Sequence, residues 1–96
     1  QKHSSEEMTA IAKMKIMPLS VETDLLKIRE QVRKSIESNG GRNPKFEEVP
    51  IAFGLKAVDV FFLWDEEKEL ETLENTLRKI KGVKSVELVD IRRAIG

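Results

Sequence analysis

The sequence predicts an α+β two-layer sandwich, in which two helices pack on one face of a four-stranded antiparallel sheet. Three observations point to this fold class. Apolar residues alternate with period two in four stretches and recur at helical spacing in two others, in the order strand, helix, strand, strand, helix, strand. Each helical stretch carries a single apolar stripe, so each is covered on one side only. The 96 residues suffice for one modest core, burying about 60 to 65% of the unfolded surface, and show no repeat or linker. Two split βαβ units in this order build the ferredoxin-like βαββαβ arrangement.

Gln1–Glu7 is polar and unpatterned. It is expected to be a disordered tail or an expression remnant ahead of Met8, with a single ferredoxin-like domain over 8–96. The lone His3 falls in that tail, away from any buried or metal-binding role. From Thr9 to Met17, Ala10, Ala12, Met14 and Ile16 share one face while Lys13 and Lys15 take the other, and Pro18 ends the strand. From about Asp24 to Ser38 the stripe is Leu25, Ile28, Val32 and Ile36, with Thr23 or Asp24 as cap and Asn39-Gly40-Gly41 as stop. Glu30 precedes Lys34 by four residues, the favourable order for a helical ion pair. Arg42–Pro44 reads as loop. Lys45–Ile51 reads as a strand at the sheet edge, because Pro50 cannot donate to a ladder.

Leu55–Trp64 is the strongest strand pattern. Val58, Val60 and Phe62 occupy one face, and Asp59, Phe61 and Leu63 the other. That second face is partly apolar, so it is either covered or a contact surface. Trp64 is expected to be a core or rim aromatic. Asp65 is predicted to cap the second helix, with Glu66, Glu67 and Glu69 in or near its first turn. The stripe Leu70, Leu73, Leu77 and Ile80 follows, with Lys79 and Lys81 in the last turn and Gly82 as C-terminal cap. Val83–Ile91 is the final strand, with Val86 and Leu88 on one face, and Arg92 and Arg93 follow it.

Lys plus Arg and Asp plus Glu number 17 each, so the formal charge is zero, where a simple phosphate-binding module would usually be basic. The absence of Cys removes disulfides, thiolate metal sites and a Cys nucleophile. No apolar run approaches the roughly 20 residues of a membrane span and no signal-peptide h-region is visible, so a cytoplasmic protein is expected. The sequence contains no Ser, His and Asp constellation, no HExxH, no Walker A and no GxGxxG, and its carboxylates do not converge. Neither an enzyme nor a cofactor is therefore expected. An RNA-recognition module using the open sheet face is the rival on this topology, yet Phe61 is its single aromatic hit.

The least ordinary stretch is Val49-Pro50-Ile51-Ala52-Phe53-Gly54-Leu55, which joins two strands without a charge or a polar turn residue. Two readings stand from pattern alone. Phe53 points into the core from a long strand bent at Gly54, or it is an exposed anchor for a partner.

Glu48-Val49-Pro50-Ile51-Ala52-Phe53-Gly54-Leu55 closely resembles the archaeal translation elongation factor 1-beta family. Met14-Lys15-Ile16-Met17-Pro18 and Gly82–Arg93 add to the likeness, which runs in order over nearly everything after Glu7. The resemblance implies a ferredoxin-like fold and a guanine-nucleotide exchange factor. Its partner would be elongation factor 1-alpha, the GTPase that delivers aminoacyl-tRNA and holds GDP through its phosphate loop and Mg²⁺. In eukaryotic members the matching stretch reads Pro-Ile/Val-Gly-Phe/Tyr-Gly-Ile, and its aromatic residue enters a pocket on the GTPase. That aromatic corresponds to Phe53, with Pro50, Ile51, Ala52 and Gly54 shaping the turn around it. Eukaryotic members also end with a Lys and a hydrophobic residue, that Lys disturbing the Mg²⁺ site. This chain has Arg92-Arg93-Ala94-Ile95-Gly96 there. Arg92 and Arg93 either supply a cation instead or form a solvated pair.

Overall fold

Alternating apolar residues become strands here because one parity of each central strand can be buried under helices. The computed structural model describes residues 9–93, so the expectations for the 1–7 tail and His3 lie outside the described residues. Thr9–Pro18 forms β1, Leu25–Ser38 α1, Arg42–Pro50 β2, Lys56–Asp65 β3, Leu70–Arg78 α2 and Val83–Arg93 β4. The sheet order is β2-β3-β1-β4 with every neighbouring pair antiparallel, so the βαββαβ ferredoxin-like sandwich is the observed α+β fold. Pro50 lies on an edge strand, as its missing N–H requires.

Register sets the core. Met14 lies opposite Val60 on one side and Leu88 on the other, and Ile16 lies opposite Val58 and Val86. This parity meets Ile28, Val32 and Ile36 of α1 and Leu73 and Leu77 of α2 in one buried cluster. Phe62 and Trp64 close one end edge-to-face, with ring centroids 5.8 Å apart, and the Trp64 indole N–H donates to the Lys68 carbonyl at 3.2 Å. The flank between α1 and β2 is sealed differently. Arg29 and Arg33 lie over the Phe46 ring at 5.4 and 5.3 Å, and Arg29 reaches Glu48 at 3.6 Å.

Four local expectations are corrected. Asp65 ends β3 and its carboxylate accepts from the Glu67 N–H at 2.9 Å, so residues 65–69 make a turn. The second helix starts only at Leu70 and stops at Arg78, which leaves Lys79 and Lys81 beyond its last turn. An Asp followed by acidic residues suits a turn as well as a helix start, and the Trp64–Lys68 bond favours the turn. Glu30 approaches Arg33 at 3.8 Å rather than pairing with Lys34. Finally, β2 begins at Arg42, which pairs opposite Leu63 across an irregularity at Asn43, whose φ is +54°. Asp24 does cap α1, accepting from the N–H groups of Leu26 and Lys27 at 3.1 and 3.3 Å.

Candidate functional site

The connection between β2 and β3 is a tight 3₁₀ turn, Ala52–Gly54. It is clamped below by Ile51 N–H donating to the Leu55 carbonyl at 2.8 Å, and closed above by Leu55 N–H donating to the Ala52 carbonyl at 3.2 Å. Ile51 and Leu55 are half-buried at the base, whereas Ala52, Phe53 and Gly54 stand clear. Phe53 is 94% exposed, so the core reading of this residue is excluded. Its backbone sits at φ 62°, ψ 32°, the left-handed region that a bulky L-residue avoids. Gly54 follows at φ +77°, a conformation that costs glycine little. A strained, solvent-facing aromatic costs the free chain stability and returns none to its core.

The two arginines lie at the other end of the sheet. Arg92 pairs opposite Ile11 and Arg93 opposite Ala10, whereas the Phe53 turn adjoins Lys56. The intervening run of β3 from Lys56 to Leu63 spans about 24 Å at roughly 3.4 Å per residue. Both guanidinium groups are engaged. Arg92 Nε donates to Asp90 at 2.7 Å, and Arg93 donates to both carboxylate oxygens of Glu66 at 2.9 and 3.2 Å. The Glu66 bonds and charge hold Arg93 above its ordinary pKa. The structure therefore brings Pro50, Ile51, Ala52, Phe53 and Gly54 together and leaves Arg92 and Arg93 apart from them, each in an ion pair at the other end of the sheet.

The open sheet face is occupied by its own side chains. Lys13 Nζ lies 3.7 Å from Asp59 and 5.1 Å from the centre of the Phe61 ring. Asp59 is only 4% exposed, and its Oδ1 has no hydrogen-bond partner. Among the described residues no cluster of His, Cys, Asp or Glu could hold a metal ion, and no helix is long and apolar enough to cross a membrane.

Sequence reasoning missed Leu19 and Val21, exposed in the turn between β1 and α1. The signal was present as two apolar residues, Pro18-Leu19-Ser20-Val21, inside a connection that should be polar.

The profile of the EF-1 guanine nucleotide exchange domain family matches residues 11–94. Elongation factor 1-beta of Methanosarcina barkeri is 42% identical over 83 residues, covering 85% of this chain and 93% of that protein. The protein of the same name from Methanocaldococcus jannaschii is 36% identical over 87 residues, covering 90% of this chain and 98% of that one. The solution structure of the C-terminal domain of the MgtC protein from Mycobacterium tuberculosis superposes with a TM-score of 0.64 at 16% identity. It covers 93% of this chain and 90% of that one, a likeness of fold alone.

Proposed function

Because this chain belongs to the EF-1 guanine nucleotide exchange domain family, we propose that it promotes exchange of GDP for GTP on elongation factor 1-alpha through a protein–protein contact anchored on Phe53. The observation that carries the reading is the 94% exposure of Phe53 at a positive φ. The turn's backbone bonds fix where the ring projects, so binding a pocket need not order the backbone that carries it.

Exchange needs no covalent chemistry. A factor that binds the nucleotide-poor GTPase more tightly than the GDP-bound form weakens GDP binding by the same factor, by linkage. The chain is thus a non-enzymatic factor of the cytoplasm, and the groups it needs are contacts. Phe53 fills a pocket on the GTPase, while Pro50, Ile51, Ala52 and Gly54 fix its direction. Arg92 and Arg93, from the far end of the sheet, present positive charge toward the partner's nucleotide and Mg²⁺ region. Each is already bonded to a carboxylate, so either must exchange that partner for one on the GTPase. The rival RNA reading loses ground on the open face, where the Phe61 ring carries Lys13 and neighbours the Asp59 carboxylate.

Release of fluorescent GDP from elongation factor 1-alpha, chased with unlabelled nucleotide, tests the proposal. Acceleration by this chain is expected. An unchanged release rate with a folded factor and an active GTPase would end the exchange reading.

A further inference from the structure

The turn between β1 and α1 carries an apolar surface that the Phe53 turn alone does not account for. Leu19 is 63% exposed and Val21 is 60% exposed, in a segment that otherwise consists of hydroxyl and acidic residues. The turn is built stiffly. Leu19 N–H donates to the Gly82 carbonyl at 2.9 Å, Ser20 N–H to Thr23 Oγ1 at 3.1 Å, Glu22 N–H to Ser20 Oγ at 3.2 Å and Thr23 N–H to the Ser20 carbonyl at 3.2 Å. Ser20 and Thr23 spend their hydroxyls inside the turn, so its outward chemistry is aliphatic. It also lies beside the Phe53 loop. A Cβ built on Gly54 would meet Val21 Cγ1 at 3.7 Å, and a recess of about 290 Å³ between the two loops is bordered by Ser20, Val21, Gly54 and Lys56. Glu22 and Lys56 are exposed nearby, and neither makes an ion pair among the described residues.

We propose that Leu19 and Val21 are the second half of the Phe53 docking surface and bury against the same GTPase. The inference rests on the exchange reading above and names the contact that completes it. Continuity identifies the occupant: Val21 flanks the residue that follows Phe53, so a protein surface deep enough to receive the ring also closes over Val21. An aliphatic centre with Glu22 and Lys56 at its margin has the composition of a protein interface, and it lacks the cationic lining that a nucleic acid would need.

The test compares three proteins in the GDP-release assay below saturation: the unaltered chain, Phe53→Ala, and Leu19→Ser combined with Val21→Ser. The double variant is expected to fold normally, because both positions are exposed, and to lower the second-order rate of release about tenfold. Should it unfold early, Val21→Thr, which keeps the shape and adds a hydroxyl, decides instead, with a fall of about threefold expected. A double variant as active as the parent, with Phe53→Ala impaired, overturns this inference and leaves the exchange reading standing. An unaltered chain that releases no GDP overturns both. If sedimentation shows the parent self-associating and the double variant monomeric at undiminished exchange, the surface belongs to a second copy and the inference is also overturned.

Discussion

Truncating Phe53 to alanine should separate binding from stability more cleanly than any other change in this chain. The ring is 94% exposed and packs into no core cluster, so the free protein loses little when it is removed. An alteration of at most about 0.5 kcal/mol in unfolding free energy is expected, as at other exposed sites. The positive φ is retained, because alanine meets the same steric penalty as phenylalanine. On the partner the ledger differs. A phenyl side chain buries about 150–200 Å², worth at most about 4–5 kcal/mol at roughly 25 cal/mol per Å². Alanine retains part of that area, so a loss of about 2–3 kcal/mol, or roughly thirty- to 150-fold, is expected in the second-order rate of GDP release. The assay is stopped-flow release of fluorescent GDP, paired with urea unfolding of the same samples. A variant that exchanges like the parent would refute the anchor role. So would a stability loss of about 3–5 kcal/mol, the cost of truncating a core Phe, because the ring would then be internal.

Other expectations follow from the same geometry. Phe53→Gly should raise the unfolding free energy by about 1 kcal/mol by removing the positive-φ penalty, while impairing exchange as alanine does; a lower thermal midpoint would argue against strain at this residue. Lys13→Met should cost about 2 kcal/mol in urea unfolding by leaving the buried Asp59 carboxylate without its cation, and adding Asp59→Leu should recover most of it; additive losses would mean the pair is not coupled. Replacing Arg92 and Arg93 together with Gln should leave the thermal midpoint nearly unchanged, since both pairs are exposed, yet slow exchange and flatten its salt dependence; an unaltered salt profile would remove them from the contact.

The fold was legible because strand and helix periods rarely imitate each other. The parity of Met14 and Ile16, the stripe of Ile28, Val32 and Ile36, and the edge position implied by Pro50 are all present in the structure. Boundaries near charged residues were less legible. Asp65 and the glutamates after it satisfy turn and helix-start chemistry equally, and the choice falls to the local bond from the Trp64 indole to the Lys68 carbonyl. The direction of Phe53 could not be read from periodicity at all, because a residue between two strands belongs to neither parity. Its left-handed backbone follows from a three-residue closure between Ile51 and Leu55, which no alternation pattern encodes. Leu19 and Val21 escaped notice for a related reason: their hydropathy was visible, but their proximity to Gly54 is a property of the folded chain.

The distance between the Phe53 turn and the arginine pair makes the sheet a gauge. The described residues extend 49 × 21 × 18 Å, and hydrogen-bonded antiparallel strands stretch very little along their own direction. If the proposed exchange contact uses both ends, the partner must offer two landing points at that spacing. The gauge can also be reset in defined steps. Inserting one residue into each strand would turn the side chains beyond the insertion to the opposite face, whereas inserting two would preserve the faces and move the ends apart by about 7 Å.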